Sequence, residues 1–286
     1  MNGIVIVDKP QYWTSQDVVS KLRGVFKTRR IGHGGTLDPM ATGVLPVFVG
    51  RATRGVEFFE HAEKTYETLL RPGITTDTED ITGTVLTEQD AFATASQLEE
   101  VLTRFRGEIQ QIPPMYSALK VNGQKLYDLA RKGKEVERQP RTITIHELTL
   151  LGMEAEGIRL RVRCSKGTYI RTLCKDIGEA LGCGGCMAAL RRVSAGAYTI
   201  EEAVPLQELI ETNEPEKYLR AVDTMFSDYP AVKLTPNQEK RCRNGNSFSV
   251  MLEPGTYRAY SESGEFLMLA QVDDGIMSTR KSFFEV

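Results

Sequence analysis

The chain has 286 residues, 41% of them hydrophobic, and a formal net charge of −2. This length and apolar content allow a well-buried core and exclude a disordered chain, and the near-neutral charge excludes a uniformly basic nucleic-acid binder. No apolar run is long enough to cross a bilayer and no signal peptide is evident, so we expect a cytoplasmic protein without membrane association. Five cysteines do not suggest a disulfide framework, and the single C-x-x-C of Cys183 and Cys186 favours incidental thiols over a metal site.

Charge is unevenly distributed along the chain despite the small net value. Residues 77–108 carry eight acidic residues and two arginines, whereas residues 120–141 carry seven basic and three acidic residues. Further basic residues crowd 21–30, 159–175 and 240–243. Each run alone is typical of a solvated surface, but together they indicate a protein with one positive side.

The first half of the chain mixes short strands and helices. A strand over 3–8 precedes a helix over 15–27, where Thr14 and Asp17 have the spacing of a capping box. Apolar periodicity predicts the other elements of this half: strands near 44–49, 64–71 and 83–87, and helices near 52–60, 96–106 and 124–132.

The second half contains the clearest strand pattern, because Leu160, Val162 and Cys164 alternate with three arginines over 157–164. Periodicity also predicts strands over 142–151 and 188–200 and helices over 168–181 and 205–211.

This irregular order of elements predicts an α+β fold with a mostly antiparallel mixed sheet and flanking helices, not a repeated βαβ unit. Short strands with turn signals follow the last predicted helices. We therefore predict one domain over 1–226 and a small all-β module over 230–286.

Asp38 lies in IGHGGTLDPMATGVLPVFV, residues 31–49, between a glycine-rich run and an apolar strand. Asp-Pro pairs commonly begin turns, and Gly32, Gly34 and Gly35 would supply positive φ at little cost. The glycines could instead let another molecule approach Asp38 while the strand holds its carboxylate still. Spacing alone leaves both readings open.

Three further side chains are candidates for chemistry. Tyr66 lies on a predicted strand, where tyrosine is usually a half-buried sheet residue. Tyr169 and Arg171 fall in the first turns of a helix, where the helix dipole disfavours a cation, so a buried anionic partner would account for Arg171. Neither a phosphate-binding loop nor a dinucleotide fingerprint accompanies them.

Six motifs occur in order between residues 3 and 226: DKP at 8–10, GHGGTLDPMATGVLPV at 32–47, KTYE at 64–67, IPPMYSALKVNGQKLYDLAR at 112–131, CSKGTYIRTL at 164–173 and ALRRVSAG at 189–196. In sequence and spacing they resemble the bacterial TruB family of tRNA pseudouridine-55 synthases. The tail after residue 230 is similar to the small PUA-like module of bacterial members.

The resemblance implies a reaction without a cofactor, in which a uridine of the tRNA T-loop becomes pseudouridine. Asp38 matches the family's nucleophile, which attacks the ribose C1′ or the uracil C6, or helps to form a glycal. Arg171 matches the arginine that pairs with this carboxylate and favours its ionised form. Tyr66 matches the tyrosine that stacks on the flipped base and is a candidate for removing the C5 proton.

The resemblance also assigns RNA-binding positions. Leu190 would close the pocket, Tyr169 would line it, and His33 would occupy the space that the flipped base leaves. Lys9 would support the pocket from below. The basic segment 119–141 corresponds to a thumb that grips the T-arm, where the residues expected to meet phosphates are Lys120, Lys125, Arg131 and Lys132.

We therefore expect a monomer whose partner is the T-arm stem-loop of tRNA. Two alternatives remain open from the residues themselves. One is an RNA-binding or RNA-folding protein without catalysis. The other is a hydrolase that pairs Asp38 with a second carboxylate such as Asp77 or Asp80.

Overall fold

A computed structural model describes residues 1–91, 93–121 and 123–285, and the side chains of Lys120 and Lys125 lie outside the described part. The α-helices are α1 (Ser15–Val25), α2 (Val56–Phe59), α3 (Ala95–Thr103), α4 (Leu126–Ala130), α5 (Ile170–Ala180), α6 (Leu206–Glu211) and α7 (Pro236–Arg243). Strands β1 to β10 are Gly3–Lys9, Ile31–His33, Thr42–Val49, Lys64–Pro72, Ile74–Thr76, Val85–Glu88, Gly107–Gln111, Lys120–Val121, Gln124–Lys125 and Arg141–Glu154. Strands β11 to β19 are Gly157–Cys164, Gly185–Ala195, Tyr198–Thr199, Val204–Pro205, Ala231–Lys233, Phe248–Ser249, Gly255–Tyr260, Phe266–Asp273 and Ile276–Ser282.

A ten-stranded sheet forms the larger part of the molecule. Its strand order is β14-β1-β3-β12-β4-β11-β10-β7, with β2 paired to β3 and β13 paired to β12. The pairs β1–β14 and β12–β3 are parallel and the other pairs are antiparallel. The mixed, mainly antiparallel sheet predicted from the sequence is confirmed.

The central strands of this sheet are buried on both faces. In β1, Val5 and Val7 enter the core beneath α1, α3, α5 and α6, whereas Ile4 and Ile6 enter a second core on the opposite face. The strands toward the other edge are covered on one face only. In β11 the predicted alternation is confirmed, because Leu160 and its apolar neighbours are buried and the three arginines are exposed.

A separate five-stranded sheet follows in the order β15-β17-β18-β19-β16, with α7 between its first two strands in sequence. It has its own apolar core, and it also contributes Leu269 and Phe283 to the second core of the main sheet. The Phe283 ring lies 5.8 Å from that of Phe226, centroid to centroid. The C-terminal β-sheet expected from the sequence is therefore present and packs against the larger part, and its exact domain boundary stays a prediction.

The differences from the predicted elements are short strands and boundaries. Strands β2, β5, β7 and β14 were not predicted, because two to five residues are too few for a periodic pattern. The predicted strand 188–200 is divided into β12 and β13 by a turn at Gly196, where φ is +57°. The predicted helix 124–132 shortens to α4, because β8 and β9 form a hairpin before it. Nowhere in the described ranges is a helix both long and apolar enough to span a membrane.

Candidate active site

Asp38 lies in the loop that joins β2 to β3, and this loop is attached to the first residue of α1. The Ser15 hydroxyl accepts a hydrogen bond from the Leu37 amide at 2.8 Å and donates one to the Leu37 carbonyl at 3.1 Å. The Asp38 carbonyl accepts from the amide of Ala41 at 3.0 Å. The backbone on both sides of the carboxylate is thus fixed by hydrogen bonds before any ligand binds.

The glycines before Asp38 serve the packing of the protein itself. Only Gly35 has a positive φ, of +92°, so the prediction that Gly32 and Gly34 also supply one is wrong. A Cβ on Gly34 would lie 2.4 Å from the Phe59 ring, which explains why that position has no side chain. The close approach expected for another molecule is therefore made, at Gly34, by an aromatic residue of this chain.

Asp38 provides the anionic partner that the sequence analysis required for Arg171. Its Nε lies 2.9 Å from Oδ2 of Asp38, and its side chain is only 6% exposed while that of Asp38 is 36% exposed. Among the described residues, Oδ1 of Asp38 has no hydrogen-bond partner. One oxygen is thus held by a buried cation and the other is available to a substrate.

The rest of the Arg171 guanidinium is held by backbone carbonyls. Its two terminal nitrogens donate to the carbonyls of Thr78 at 3.1 Å and Tyr116 at 2.8 Å. Oδ2 of Asp80 lies 3.9 Å from Nε. Every nitrogen of the planar group has an acceptor, so both its position and its orientation are determined.

The two carboxylates considered for a hydrolase are already used in turn structure. Oδ1 of the buried Asp80 accepts hydrogen bonds from the Thr78 hydroxyl at 3.0 Å and the Thr82 amide at 3.0 Å. Oδ1 of Asp77 accepts from the Thr84 amide at 2.7 Å. These contacts give Asp77 and Asp80 structural roles and speak against a carboxylate pair with Asp38.

Lys9, which the resemblance places as support for the pocket, contacts the Asp38 loop at Pro39. It is completely buried, and its Nζ donates to the carbonyls of Trp13 at 2.6 Å, Pro10 at 2.9 Å and Pro39 at 3.4 Å. Burial lowers the pKa of Lys9 to about 8, and the negative charge of Asp38 opposes that change. The ammonium group therefore links the end of β1 to the residue that follows Asp38.

Arg192 is a site residue that sequence reasoning missed. It is 1% exposed, and its guanidinium donates from Nε to the Val44 carbonyl at 2.7 Å and from a terminal nitrogen to the Gly35 carbonyl at 3.0 Å. The signal was its spacing from Leu190, since two residues apart on a strand lie on the same face, and both are buried. Arg192 thus fixes the glycine turn at Gly35, whereas Lys9 holds the loop at Pro39.

Tyr66 and Leu190 lie on the neighbouring strands β4 and β12, and Tyr169 immediately precedes α5. Tyr66 of β4 is paired in register with Arg192 of β12. Leu190, also on β12, is buried in the core that Tyr66 contacts. Tyr169 precedes α5, and its amide and carbonyl both bond to the Gln111 side chain. Burial raises the pKa of both tyrosines, and Arg192 opposes this at Tyr66. Both are therefore phenols at neutral pH.

His33 ends β2, with its backbone paired to Val47 of β3. Burial lowers the pKa of His33 below its ordinary value of 6.5, and the charge of Arg192 adds to this effect. Its Nδ1 is buried and makes no hydrogen bond to any residue the structure describes. His33 is therefore a neutral ring, five residues before Asp38, with an unused polar atom.

The thumb, which we define as residues 119–141, contains the β8–β9 hairpin and α4. Leu126 and Leu129 are buried, whereas Arg131 and Lys132 are exposed. The Tyr127 amide of the thumb donates a hydrogen bond to the Ser117 carbonyl at 3.1 Å. This bond joins the base of the thumb to the segment that carries Tyr116. The predicted contacts of Lys120 and Lys125 lie outside the described side chains.

The five cysteines, all within the described chain, are free thiols. In residues 1–91, 93–121 and 123–285 no group of three or more His, Cys, Asp or Glu side chains could hold a metal ion.

An open groove of about 910 Å³ lies where the two sheets meet, lined by residues such as Phe58, Tyr198 and Arg280. None of the residues predicted for the site lines this groove.

Two family models match the chain. The first, described as TruB family pseudouridylate synthase, N-terminal domain, matches residues 23–170. The second, described as tRNA pseudouridylate synthase B C-terminal domain, matches residues 171–223. All of the residues proposed above except Lys9 lie within these two matches.

Curated relatives match over nearly the whole chain. A protein named tRNA pseudouridine synthase B from Clostridium kluyveri is 42% identical over 280 residues, which is 96% of each chain. One of the same name from Francisella philomiragia is 42% identical over 99% of this chain and 95% of its own. Among solved structures, a Cbf5–Nop10–Gar1 complex matches with a TM-score of 0.75 at 24% identity, covering 99% of this chain and 85% of that one. An H/ACA ribonucleoprotein bound to a substrate RNA containing 2′-deoxyuridine matches with a TM-score of 0.74 at 22% identity, with the same coverage of the two chains. These two structures show that the chain shares their fold.

Proposed function

This chain belongs to the TruB family of pseudouridylate synthases, and we propose that it converts uridine 55 in the T-loop of tRNA to pseudouridine. The name that the matching relatives share supports tRNA as the substrate. The T-loop position and the chemical roles below rest on the motif resemblance and on the geometry around Asp38. The observation that carries the proposal is the ion pair between Asp38 and Arg171, with one carboxylate oxygen left unbonded.

The reaction is an isomerisation that needs a nucleophile and a base. The bond between N1 of uracil and C1′ of ribose breaks, C5 of the base bonds to C1′, and the proton from C5 is lost while N1 gains one. An ionised carboxylate serves each route by which this can begin: attack on C1′, attack on C6, or removal of a sugar proton toward a glycal. Arg171 holds Oδ2 of Asp38 and leaves Oδ1 for the substrate, an arrangement that serves all three routes.

The target base must leave the T-loop stack before Asp38 can reach it. The neutral ring of His33, at the end of β2, is suited to replace the base in the stack without adding charge. Leu190 then packs against the flipped uracil and Tyr66 stacks on it, because their strands β12 and β4 are neighbours in register.

Tyr66 is also our candidate for removing the C5 proton. Burial raises the pKa of its hydroxyl, which makes the phenolate a stronger base but a rare species. The positive charge of Arg192 opposes that rise and would favour the transient phenolate. Tyr66 and Arg192 thus form the base end of the proposed site and Asp38 and Arg171 the nucleophile end.

The basic thumb supplies the contacts to RNA in this proposal. Arg131 and Lys132 are exposed on it, as phosphate contacts require. The thumb base is bonded to the segment whose Tyr116 carbonyl holds Arg171, so RNA binding and the nucleophile share one connected structure. A monomer acting on the T-arm stem-loop in the cytoplasm is part of the same proposal.

Replacing Asp38 with Asn tests the proposal, because the amide keeps the size of the side chain and removes the nucleophile. We expect loss of pseudouridine formation by more than about 1,000-fold with the Kd for a T-arm stem-loop within about threefold of wild type. Release of tritium from [5-³H]uridine measures the reaction, and an unchanged RNA mass distinguishes isomerisation from hydrolysis. Turnover within tenfold of wild type, or free uracil among the products, would overturn the assignment.

A further inference from the structure

Tyr12 is an aromatic side chain that no step above uses. It is 81% exposed, and among the large hydrophobic side chains of the described chain only Met251 is more exposed. The next most exposed aromatic residue in that group, Tyr229, is 38% exposed. The Tyr12 ring therefore contributes little to the packing of the protein in its present state.

The backbone of Tyr12 is in a conformation that disfavours its side chain. Its φ is +67°, in the left-handed region that glycine adopts readily and a tyrosine does not. The surrounding hydrogen bonds impose this conformation: the Tyr12 amide donates to the Pro39 carbonyl at 2.7 Å, and Lys9 binds the carbonyls of Pro10 and Trp13. A glycine would fit this turn with less strain, so the tyrosine side chain brings no benefit to the fold itself.

The same hydrogen bonds place Tyr12 beside the candidate active site. Its amide is bonded to Pro39, the residue next to Asp38, and Lys9 contacts that same carbonyl. Ser15, three residues later, is bonded in both directions to Leu37. The ring therefore extends into solvent from a rigid turn attached to both sides of the Asp38 loop.

We propose that Tyr12 is a stacking site for one unpaired nucleobase of the RNA substrate, next to the base that is flipped. Every nucleobase offers a π-face, and an exposed aromatic ring held by a rigid backbone binds it with little loss of entropy. The proposal rests on the proposed function, since it takes RNA as the substrate. Tyr12 touches none of the reacting atoms and acts on binding.

The first test separates binding from turnover. Replacing Tyr12 with Ala should raise the KM for a T-arm stem-loop, and its Kd in an Asp38→Asn background, by about 5- to 150-fold, the usual effect of losing one stacked base. The kcat should remain within about threefold of wild type, and Tyr12→Phe should bind like wild type. A kcat loss without a change in KM, or a Kd for Tyr12→Ala equal to that for Tyr12→Phe, would overturn the proposal.

The second test locates the base. Stem-loops with a single abasic nucleotide at successive loop positions are titrated against Tyr12 and Tyr12→Ala proteins in the Asp38→Asn background. At one position the abasic RNA should bind both proteins equally, because the stacking partner is already absent. The fluorescence of Trp13, the only tryptophan in the chain, should change on binding of intact RNA and change less with that abasic RNA. A Tyr12→Ala effect of the same size at every position would contradict the proposal.

A control addresses the backbone. Asp274, exposed in the turn between β18 and β19, also has a positive φ, of +48°. Replacing Tyr12 or Asp274 with Gly should not lower the unfolding temperature, whereas only the change at Tyr12 should weaken RNA binding. Equal weakening by both would overturn the inference. Absence of turnover in the wild-type protein in these assays would instead contradict the proposed function.

Discussion

Replacing Arg171 with Lys should damage both stability and turnover, although it keeps the charge. The lysine ammonium ends near the central carbon of the guanidinium, so it can still meet Asp38 but cannot reach the carbonyls of Thr78 and Tyr116. Each hydrogen bond from a charged donor contributes about 1.5–3 kcal/mol, so two lost bonds give about 3–6 kcal/mol as an upper bound. Local rearrangement should reduce the loss of unfolding free energy to about 2–4 kcal/mol.

The effect on turnover follows from the orientation of the carboxylate. Without the planar guanidinium, Asp38 can rotate about its ion pair, and a misplacement of about 1 Å costs about 100-fold in rate. We expect kcat to fall by about 100- to 1,000-fold with little change in the Kd for RNA. Urea unfolding measures the stability, and single-turnover release of tritium from a [5-³H]uridine stem-loop measures the reaction.

Arg104→Lys is the matched control, because Arg104 is exposed and, within the described residues, its guanidinium pairs only with Glu100, at 3.3 Å. It should leave both the unfolding free energy and kcat close to wild type. The reasoning is refuted if Arg171→Lys keeps kcat within threefold of wild type, since the orientation of Asp38 would then not depend on the guanidinium. It is also refuted if both arginine variants lose the same stability.

His33 and the thumb give two further predictions. Because burial lowers the folded-state pKa of His33, the unfolded chain binds more protons below pH 6.5, so stability should fall as the pH drops below that value. Urea unfolding at pH 7.5 and 5.5 should show a smaller loss for His33→Asn than for wild type, and an equal loss would contradict this. In the thumb, alanine at Arg131 and Lys132 should weaken RNA binding and lower the slope of log K against log salt by about 0.9 or less per lost contact. Trypsin should cut residues 119–141 first in the free protein and much later with RNA bound. Alanine at Arg104 and Lys217 is the control. If the salt slope of the thumb variant is unchanged, or if the control variant loses as much RNA affinity, the thumb does not contact phosphates.

Much of the fold could be predicted from local patterns. The alternation in β11 predicted which face is buried, because a strand with one solvated face repeats every two residues. The Thr14 and Asp17 pair predicted the start of α1, and both capping hydrogen bonds are present. The strands that were missed are short and are held by their neighbours in the sheet, so their own residues carry little signal.

The candidate site was predictable wherever a residue type was locally unusual. Arg171 near the start of a helix required an anion, and Asp38 after a glycine-rich turn supplied one. Arg192 was missed because an arginine on a strand ordinarily points to solvent, and only the pairing of β12 with β3 and β4 shows that it is enclosed. Tyr12 was missed because neither its φ nor its exposure can be seen in the residues DKPQYWTS.

The sequence by itself determined the family, the elements with a strong period and the residue types at the centre of the site. It did so because motif order and local periodicity are properties of the chain alone. Only the tertiary structure decided what holds those residues in place. The acceptors of the Arg171 guanidinium are carbonyls 93 and 55 residues away in sequence. Backbone carbonyls are the same in every residue, so no pattern of side chains could have identified them, and only the folded chain brings them to Arg171.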